Sequence, residues 1–365
     1  MKTSHALLLF ASLSTSLTLS AAPNERALEV SKYWTAERMA AAQPRDFVLD
    51  HRGLAYLKGK GGVLKPYGHN VPATPEPRAK GGGGGKPGGG SGGGSGGDTG
   101  GTEFVDIKNS PWTNGGNIQN AAGRIYFIMS GVPYVCSGTL IDDGIEGPDG
   151  DGKSIILTAA HCVYDDINKK FAEAAIFIPN QVASGTSTDK NCSNDVLGCW
   201  IADFGIVSVN WSTGEFPENI PWDYAFYIVG NLSDTLFLGS GQPKDLDLVV
   251  TPMKISFSGT DVTKYTRALG YSYRDDPNFM YCGENLSTGY LDSLLLPNCG
   301  LSGGASGGPW SQSQEQDLGQ GPIISVNSYG PARGKPYMGG PQLYGNDAEC
   351  LFEAAKVINA NQVGC

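Results

Sequence analysis

Residues 81–101 read GGGGGKPGGGSGGGSGGDTGG and contain 15 glycines. A segment with so few side chains cannot bury enough apolar surface to offset the entropy lost on ordering it. It is therefore a flexible tether, with a root-mean-square span of roughly 25 Å for a Gly-rich coil of this length. Whatever folds must lie on one side of it or the other. This splits the chain into residues 22–80, a glycine linker at 81–101, and a body at 102–365.

The first 21 residues read as an export signal. Lys2 supplies a positive start, Ala6 to Leu19 are largely apolar, and Ser20, Ala21 and Ala22 offer small residues for cleavage. The apolar run is short and interrupted by Ser and Thr, so a retained membrane span is not expected, and nothing later is long enough to be one. The expected product is secreted, extracellular or periplasmic, and monomeric.

Residues 22–80 hold one helical candidate near Glu29 to Ala42, then short apolar pieces at Phe47 to Leu49 and Leu54 to Leu57. About sixty residues with so little core rarely fold alone. A removable prosegment is the first reading, and an independent binding module the second. Charge separates the two parts as well. Residues 22–101 carry 11 Lys/Arg against 7 Asp/Glu, whereas residues 102–365 carry 14 against 29, a net −15. A body this acidic repels nucleic acid backbones, which excludes DNA and RNA as expected partners.

Eight cysteines, an even number in an exported chain, point to disulfides. There is no C-x-x-C pair and histidine is scarce, so neither a metal site nor a cofactor is expected. The cysteines fall into sequence-local couples: Cys136 with Cys162, Cys192 with Cys199, Cys282 with Cys299, and Cys350 with Cys365. That grouping rests on proximity alone. An acidic run from Asp142 to Asp151 has the hard oxygens a calcium ion takes but not the full spacing of a calcium loop, so a solvated turn is the better reading. Asn191, Asn210, Asn231 and Asn285 begin N-x-S sequons.

After the linker the pattern changes to short β-rich runs between Gly, Pro, Asn and Asp. They include 124–129, 134–141, 154–160, 175–179, 223–229, 246–257 and 323–329. Many short strands with turn signals predict an all-β barrel or sandwich, closed by a helix at about 351–360.

Three places in the body carry chemistry. His161, in the word TAAHC, is the only histidine of residues 102–365, so any imidazole proton transfer there must use it. Ser306 sits in GGASGGP, where glycine permits a tight turn that exposes the hydroxyl and frees the N–H groups of Gly304 and Ser306 for an oxyanion. Asp223, in PWDYAF, stands at the mouth of an apolar strand, placed to hold the far imidazole nitrogen. Asp203, in ADFG, is its rival. Taken singly, each has a plainer reading as a structural histidine, a Gly-Ser turn or a turn cap.

In that order, TAAHC, the Asp223 strand and SGGP resemble the trypsin/chymotrypsin-like serine peptidases, across about residues 112–365. The resemblance implies two six-stranded β-barrels, the first over about 112–235 and the second over about 236–350. The catalytic triad would lie in the cleft between them, with His161 and Asp223 from the first barrel and Ser306 from the second. It implies a Cys136–Cys162 bridge, because CSG at 136–138 resembles the strand whose cysteine pairs beside the catalytic histidine. It also implies that Ser328, Tyr329 and Gly330 bind substrate backbone in extended form. Two departures matter. Ala305 stands where the family has the Asp that pairs with a new N-terminus, so latency would have to come from an inhibitory prosegment. No Asp stands where a basic-selective pocket would need one, so cleavage after Lys or Arg is not supported. The expected activity is a serine endopeptidase acting on protein or peptide substrates. The alternatives are a non-catalytic binding protein on the same fold, or an esterase using the same triad.

Overall fold

The computed structural model describes residues 29–68, 105–145, 153–184, 195–230, 245–312, 319–345 and 347–365. The export signal, the glycine linker, Cys192, Asn191, Asn231 and most of the acidic run at 142–151 lie outside these residues.

The first half of the body is a closed six-stranded barrel. Its antiparallel strands are Ala122–Met129, Val132–Ile141, Lys153–Thr158, Glu173–Pro179, Trp200–Ser208 and Ala225–Gly230. Closure comes from Lys153–Thr158, which pairs with Ala225–Gly230 on one side and Val132–Ile141 on the other. The tight hairpin between the first two strands turns at Ser130 and Gly131, both with positive φ (50° and 77°), as a twisted two-residue loop requires. Ile125, Phe127, Cys136, Leu140, Leu157, Phe177, Val207 and Phe226 fill the interior.

These strands read as nearly continuous apolar runs because the outer wall is covered too. Tyr126, Val135, Ile176, Ile178 and Ile201 pack against Val30, Trp34, Met39 and Ala42 from the segment before the linker. Trp34 anchors that contact, its indole N–H donating to Ala174 O at 2.7 Å. Residues 29–68 therefore do not stand alone. They borrow the body's core, which answers the shortage of apolar residues seen in the sequence. The helical stretch expected near 29–42 is split: residues 29–33 are helical, and Ala36–Ala41 begins anew after Thr35, whose hydroxyl caps Arg38 N.

The second half brings its strands together as two facing sheets, consistent with a second barrel. Ile323–Val326, Pro309–Ser311, Tyr265–Gly270, Met280–Asn285 and Ile107–Pro111 form one. Ser287–Thr288, Leu294–Leu296, Met338–Gly340 and Tyr329–Pro331 begin the other. Ala268, Cys282, Leu294, Leu296, Trp310, Ile324 and Met338 pack between them. The second sheet continues into the segment before the linker, through Asp46–Leu49, Ala55–Lys58 and Leu64–Pro66.

One expected strand is not there. Residues 246–257 form a 3₁₀ turn at Leu246–Leu248 and then irregular backbone with single bridges at Met253 and Ile255. Pro252 removes a ladder donor in the middle of this run, which instead carries the chain from one half to the other.

The closing helix is Ala348–Ala355, starting three residues before the expected 351 and ending short of 360. It buries Ala348, Leu351, Phe352 and Ala355. Disulfides join Cys136 to Cys162, Cys282 to Cys299 and Cys350 to Cys365, with Cα–Cα distances of 6.3, 5.4 and 6.1 Å. Cys199 is disulfide-bonded as well.

Candidate active site

Strand Lys153–Thr158 runs straight into a 3₁₀ turn at Ala160–Cys162 that carries His161. The Cys136–Cys162 bridge and a hydrogen bond from Tyr227 OH to Cys162 O (2.9 Å) fix that turn from both sides. Asp223 follows a second 3₁₀ turn, Ile220–Trp222, just before strand Ala225–Gly230. That strand neighbours the one leading to His161, so the two residues meet.

His161 Nδ1 lies 2.8 Å from Asp223 Oδ2, and the His161 main-chain N–H donates to Asp223 Oδ1 at 2.9 Å. The hydroxyl of Ser328, from the second half, donates to Asp223 Oδ2 at 2.5 Å. Both His161 and Asp223 are fully buried. A carboxylate beside Nδ1 requires the proton there, which leaves Nε2 as the basic nitrogen. Asp203 is part-exposed on strand Trp200–Ser208, and the carboxylate bonded to His161 is that of Asp223.

The Ser306 turn is shaped by glycines with nowhere else to go. Gly304 has φ +96°, and a Cβ there would meet Tyr271 O at 2.8 Å. At Gly307, φ +80°, a Cβ would collide with Thr158 Oγ1 and Ser137 O. The turn therefore packs directly on the strand end that bears His161.

Two residues that the sequence did not single out hold this turn. Asn327 donates through Nδ2 to Leu269 O (2.7 Å) and Ala305 O (2.9 Å), and accepts from Trp310 Nε1 at 2.7 Å. Ser137 donates to Gly304 O (2.9 Å), accepts from Tyr271 N (2.9 Å), and its own N–H donates to Ser306 O at 2.7 Å. Ser137 lies in the CSG word that carried the resemblance; nothing local marks Asn327. Ala305 is buried among the apolar side chains of the second half.

Residues 43–49 lie across this cleft. Gln43 and Pro44 pair parallel with Tyr134 and Val135, and Phe47, Val48 and Leu49 pair parallel with Tyr329, Gly330 and Pro331. The three residues expected to bind substrate backbone thus comprise Ser328, which bonds Asp223, and Tyr329 and Gly330, which bind the chain's own strand. Between the two pairings, the Ser306 hydroxyl donates to Arg45 O at 3.3 Å. The Phe47 ring stacks on the His161 imidazole, centroids 4.5 Å apart.

Arg45 is buried. Its Nε donates to His161 O at 2.7 Å and Nη2 to Tyr67 OH at 2.8 Å, and that hydroxyl donates to Asp166 Oδ1 at 2.6 Å. Asp46 has lost water and is pushed up to about 6, although Lys58, His161 and Arg274 pull its pKa down.

Cys136, His161 and Cys162 bring three ligand-type atoms within 4.8 Å of one another. The two sulfurs are joined to each other, so neither is a thiolate and the group does not suit a metal.

Residues 105–202 match the family model for the lysyl endopeptidase C-terminal domain. Among solved structures, the chain resembles the protease Anisep from Arthrobacter nicotinovorans with 24% identity and a TM-score of 0.51, over 69% of this chain and 100% of that one. It also resembles the thermostable serine protease AL20 from an extremophilic microorganism with 21% identity and a TM-score of 0.52, over 66% of this chain and 99% of that one. No curated protein matches. The fold is that of the chymotrypsin-like serine peptidases, and the family match covers part of the first half of the body.

Proposed function

We propose that the protein is a secreted serine endopeptidase made as a latent precursor, working through Ser306, His161 and Asp223. The observation that carries this reading is the buried Asp223 carboxylate, which bonds both His161 Nδ1 and its main-chain N–H at 2.8 and 2.9 Å. That pair leaves Nε2 ready to take the Ser306 proton as the hydroxyl attacks a carbonyl carbon. The same nitrogen then gives the proton to the leaving amine, and water repeats the sequence to release the acyl group. The N–H groups of Gly304 and Ser306 are the candidate donors to the oxyanion.

Latency is supported by the cover over the site. With residues 43–49 in place, Ser306 is only 5% exposed and His161 0%. Ala305 leaves no carboxylate for an N-terminal switch at that position, so removal of residues 22–80 is the natural route to activity. The basic segment and the net −15 body attract each other, which favours docking most at low salt. Disulfides and the signal-like N-terminus support export.

Cleavage after lysine is not part of the proposal. The family match ends at residue 202, inside the first half, whereas the Ser306 turn and the Ser328–Gly330 rim belong to the second.

The test is fluorophosphonate labelling, with peptide and ester substrates, of full-length protein before and after limited proteolysis between residues 78 and 112. Labelling of Ser306 that rises on cleavage, with peptide hydrolysis abolished in Ser306→Ala, is the expected result. Absence of labelling would favour a non-catalytic binding protein, and ester hydrolysis without peptide hydrolysis would favour an esterase.

A further inference from the structure

The direction of the segment in the cleft says more than its presence does. Gln43–Pro44 and Phe47–Leu49 each pair with a rim of the cleft, and both pairings are parallel. They flank Arg45 from both sides, so the peptide plane between Arg45 and Asp46 is held at two ends. The Arg45 side chain adds a third restraint through His161 O and Tyr67 OH, at 2.7 and 2.8 Å.

Held this way, the Arg45 peptide offers Ser306 its oxygen. Acyl transfer needs the opposite presentation. The serine oxygen must face the carbonyl carbon, the carbonyl oxygen must face the N–H groups of Gly304 and Ser306, and the hydroxyl proton must point at His161 Nε2. Here the proton points at Arg45 O, and Nε2 has no hydrogen-bond partner among the described residues. Turning the carbonyl into a reactive position means rotating a peptide that is held by pairings on both sides.

We infer that residues 43–49 are an inhibitor that the enzyme does not consume. The cleft accepts an extended peptide parallel to both rims, with a basic residue's carbonyl oxygen on the nucleophile and an aromatic ring on the imidazole. This inference rests on the endopeptidase reading above. It names the surface as the edges at Tyr134–Val135 and Tyr329–Pro331, and the occupant as the chain's own segment.

The experiment uses the full-length chain and two variants that loosen the segment, Phe47→Ala and Arg45→Ala, each cut between residues 78 and 112 so that the segment stays present but is no longer tethered. A general peptide substrate is added, and the protein is followed by peptide mapping while substrate is turned over. The Arg45–Asp46 bond of the wild-type chain should remain intact after on the order of 10³ turnovers per enzyme, a number far above one chance cut per chain. A synthetic peptide of residues 41–50 should inhibit both variants and be recovered whole, whereas the same residues in reverse order should not inhibit. Cutting at Arg45–Asp46 at a rate near that of the substrate overturns the inference, as does equal inhibition by the reversed peptide. Either result, obtained with Ser306 labelled by fluorophosphonate and substrate being cut, leaves the endopeptidase reading in place. Neither labelling nor turnover in any of the three chains overturns both.

Discussion

The Ser306 hydroxyl gives its hydrogen bond to the carbonyl oxygen of Arg45, 3.3 Å away and 261 residues earlier in the chain. The imidazole that would accept that proton is already aligned by Asp223, at 2.8 Å. On the proposed reading the acid–base pair is preformed while the nucleophile is diverted, and activation would require the departure of the segment before the linker, with no rebuilding of the turn that carries Ser306.

Exchange of the aligning carboxylate should be severe. Asp223→Asn in the activated protein is predicted to lower kcat by about 10⁴, because the amide favours the wrong imidazole tautomer. Asp203→Asn should change kcat less than about twofold. Steady-state kinetics on the two variants decides the matter, and the reverse ranking would transfer the role to Asp203.

Asp46 makes docking depend on pH. Its pKa is pushed up to about 6 in the cleft by loss of water and returns toward about 3.9 once the segment is free. The docked form thus holds more protons. Docking is strongest below the free value and weakens as pH rises through about 6. Two pH units would allow about a hundredfold change, but the side chain is part-exposed, so about tenfold is expected between pH 4 and 7. Proteolytic susceptibility of residues 29–68 measures docking without relying on activity. Asp46→Asn should flatten that profile, and an unchanged profile would remove Asp46 from the pH response.

Asn327→Ala should damage the site from below. It removes one donor from each of two carbonyls, Ala305 O keeping the Gly308 N–H, and leaves the buried Trp310 N–H unpaired. A buried polar group left without a partner costs about 1–3 kcal/mol, so a stability loss of about 2–4 kcal/mol is predicted. Because Asn327 holds Ala305 O, kcat should fall more than KM rises. Denaturant unfolding together with kinetics tests this, and a stable variant with normal kcat would show the turn to be held by its glycines alone.

Loss of the bridge behind His161, in Cys162→Ser, should cost about 2–5 kcal/mol. Thermal unfolding against the wild-type chain measures it. A difference below about 1 kcal/mol would mean that the Tyr227 bond and the surrounding packing hold the turn without the disulfide.

What could be read from the residues in order was whatever local chemistry dictates. The glycines of 81–101 forbid a core whatever surrounds them. The β-rich runs at 124–129 and 134–141 with turn residues between them predict two strands, and Gly304 and Gly307 in the GGASGGP word occupy positions where only glycine fits. His161 was legible because no other imidazole exists in the body. The choice of Asp223 over Asp203 leaned on its place before an apolar strand, and pairing of Ala225–Gly230 with Lys153–Thr158 is what brings its carboxylate to the imidazole. Local reading misjudged residues 246–257, where the apolar run looked like a strand although Pro252 interrupts any ladder.

Other features exist only through contacts between distant positions. Asn327 carries no local mark; its importance comes from three partners at 269, 305 and 310, brought together by the packing of separate strands. The same holds for residues 29–68. Composition showed that they lack a core, and only the tertiary structure showed whose core they use, with Trp34 on the outer barrel wall and Phe47 on His161. The parallel direction of Phe47–Leu49 along Tyr329–Pro331 is least legible of all. Backbone hydrogen bonding allows an added strand to run either way, and the choice is made by the side chains on both sides of the cleft once the whole chain has folded.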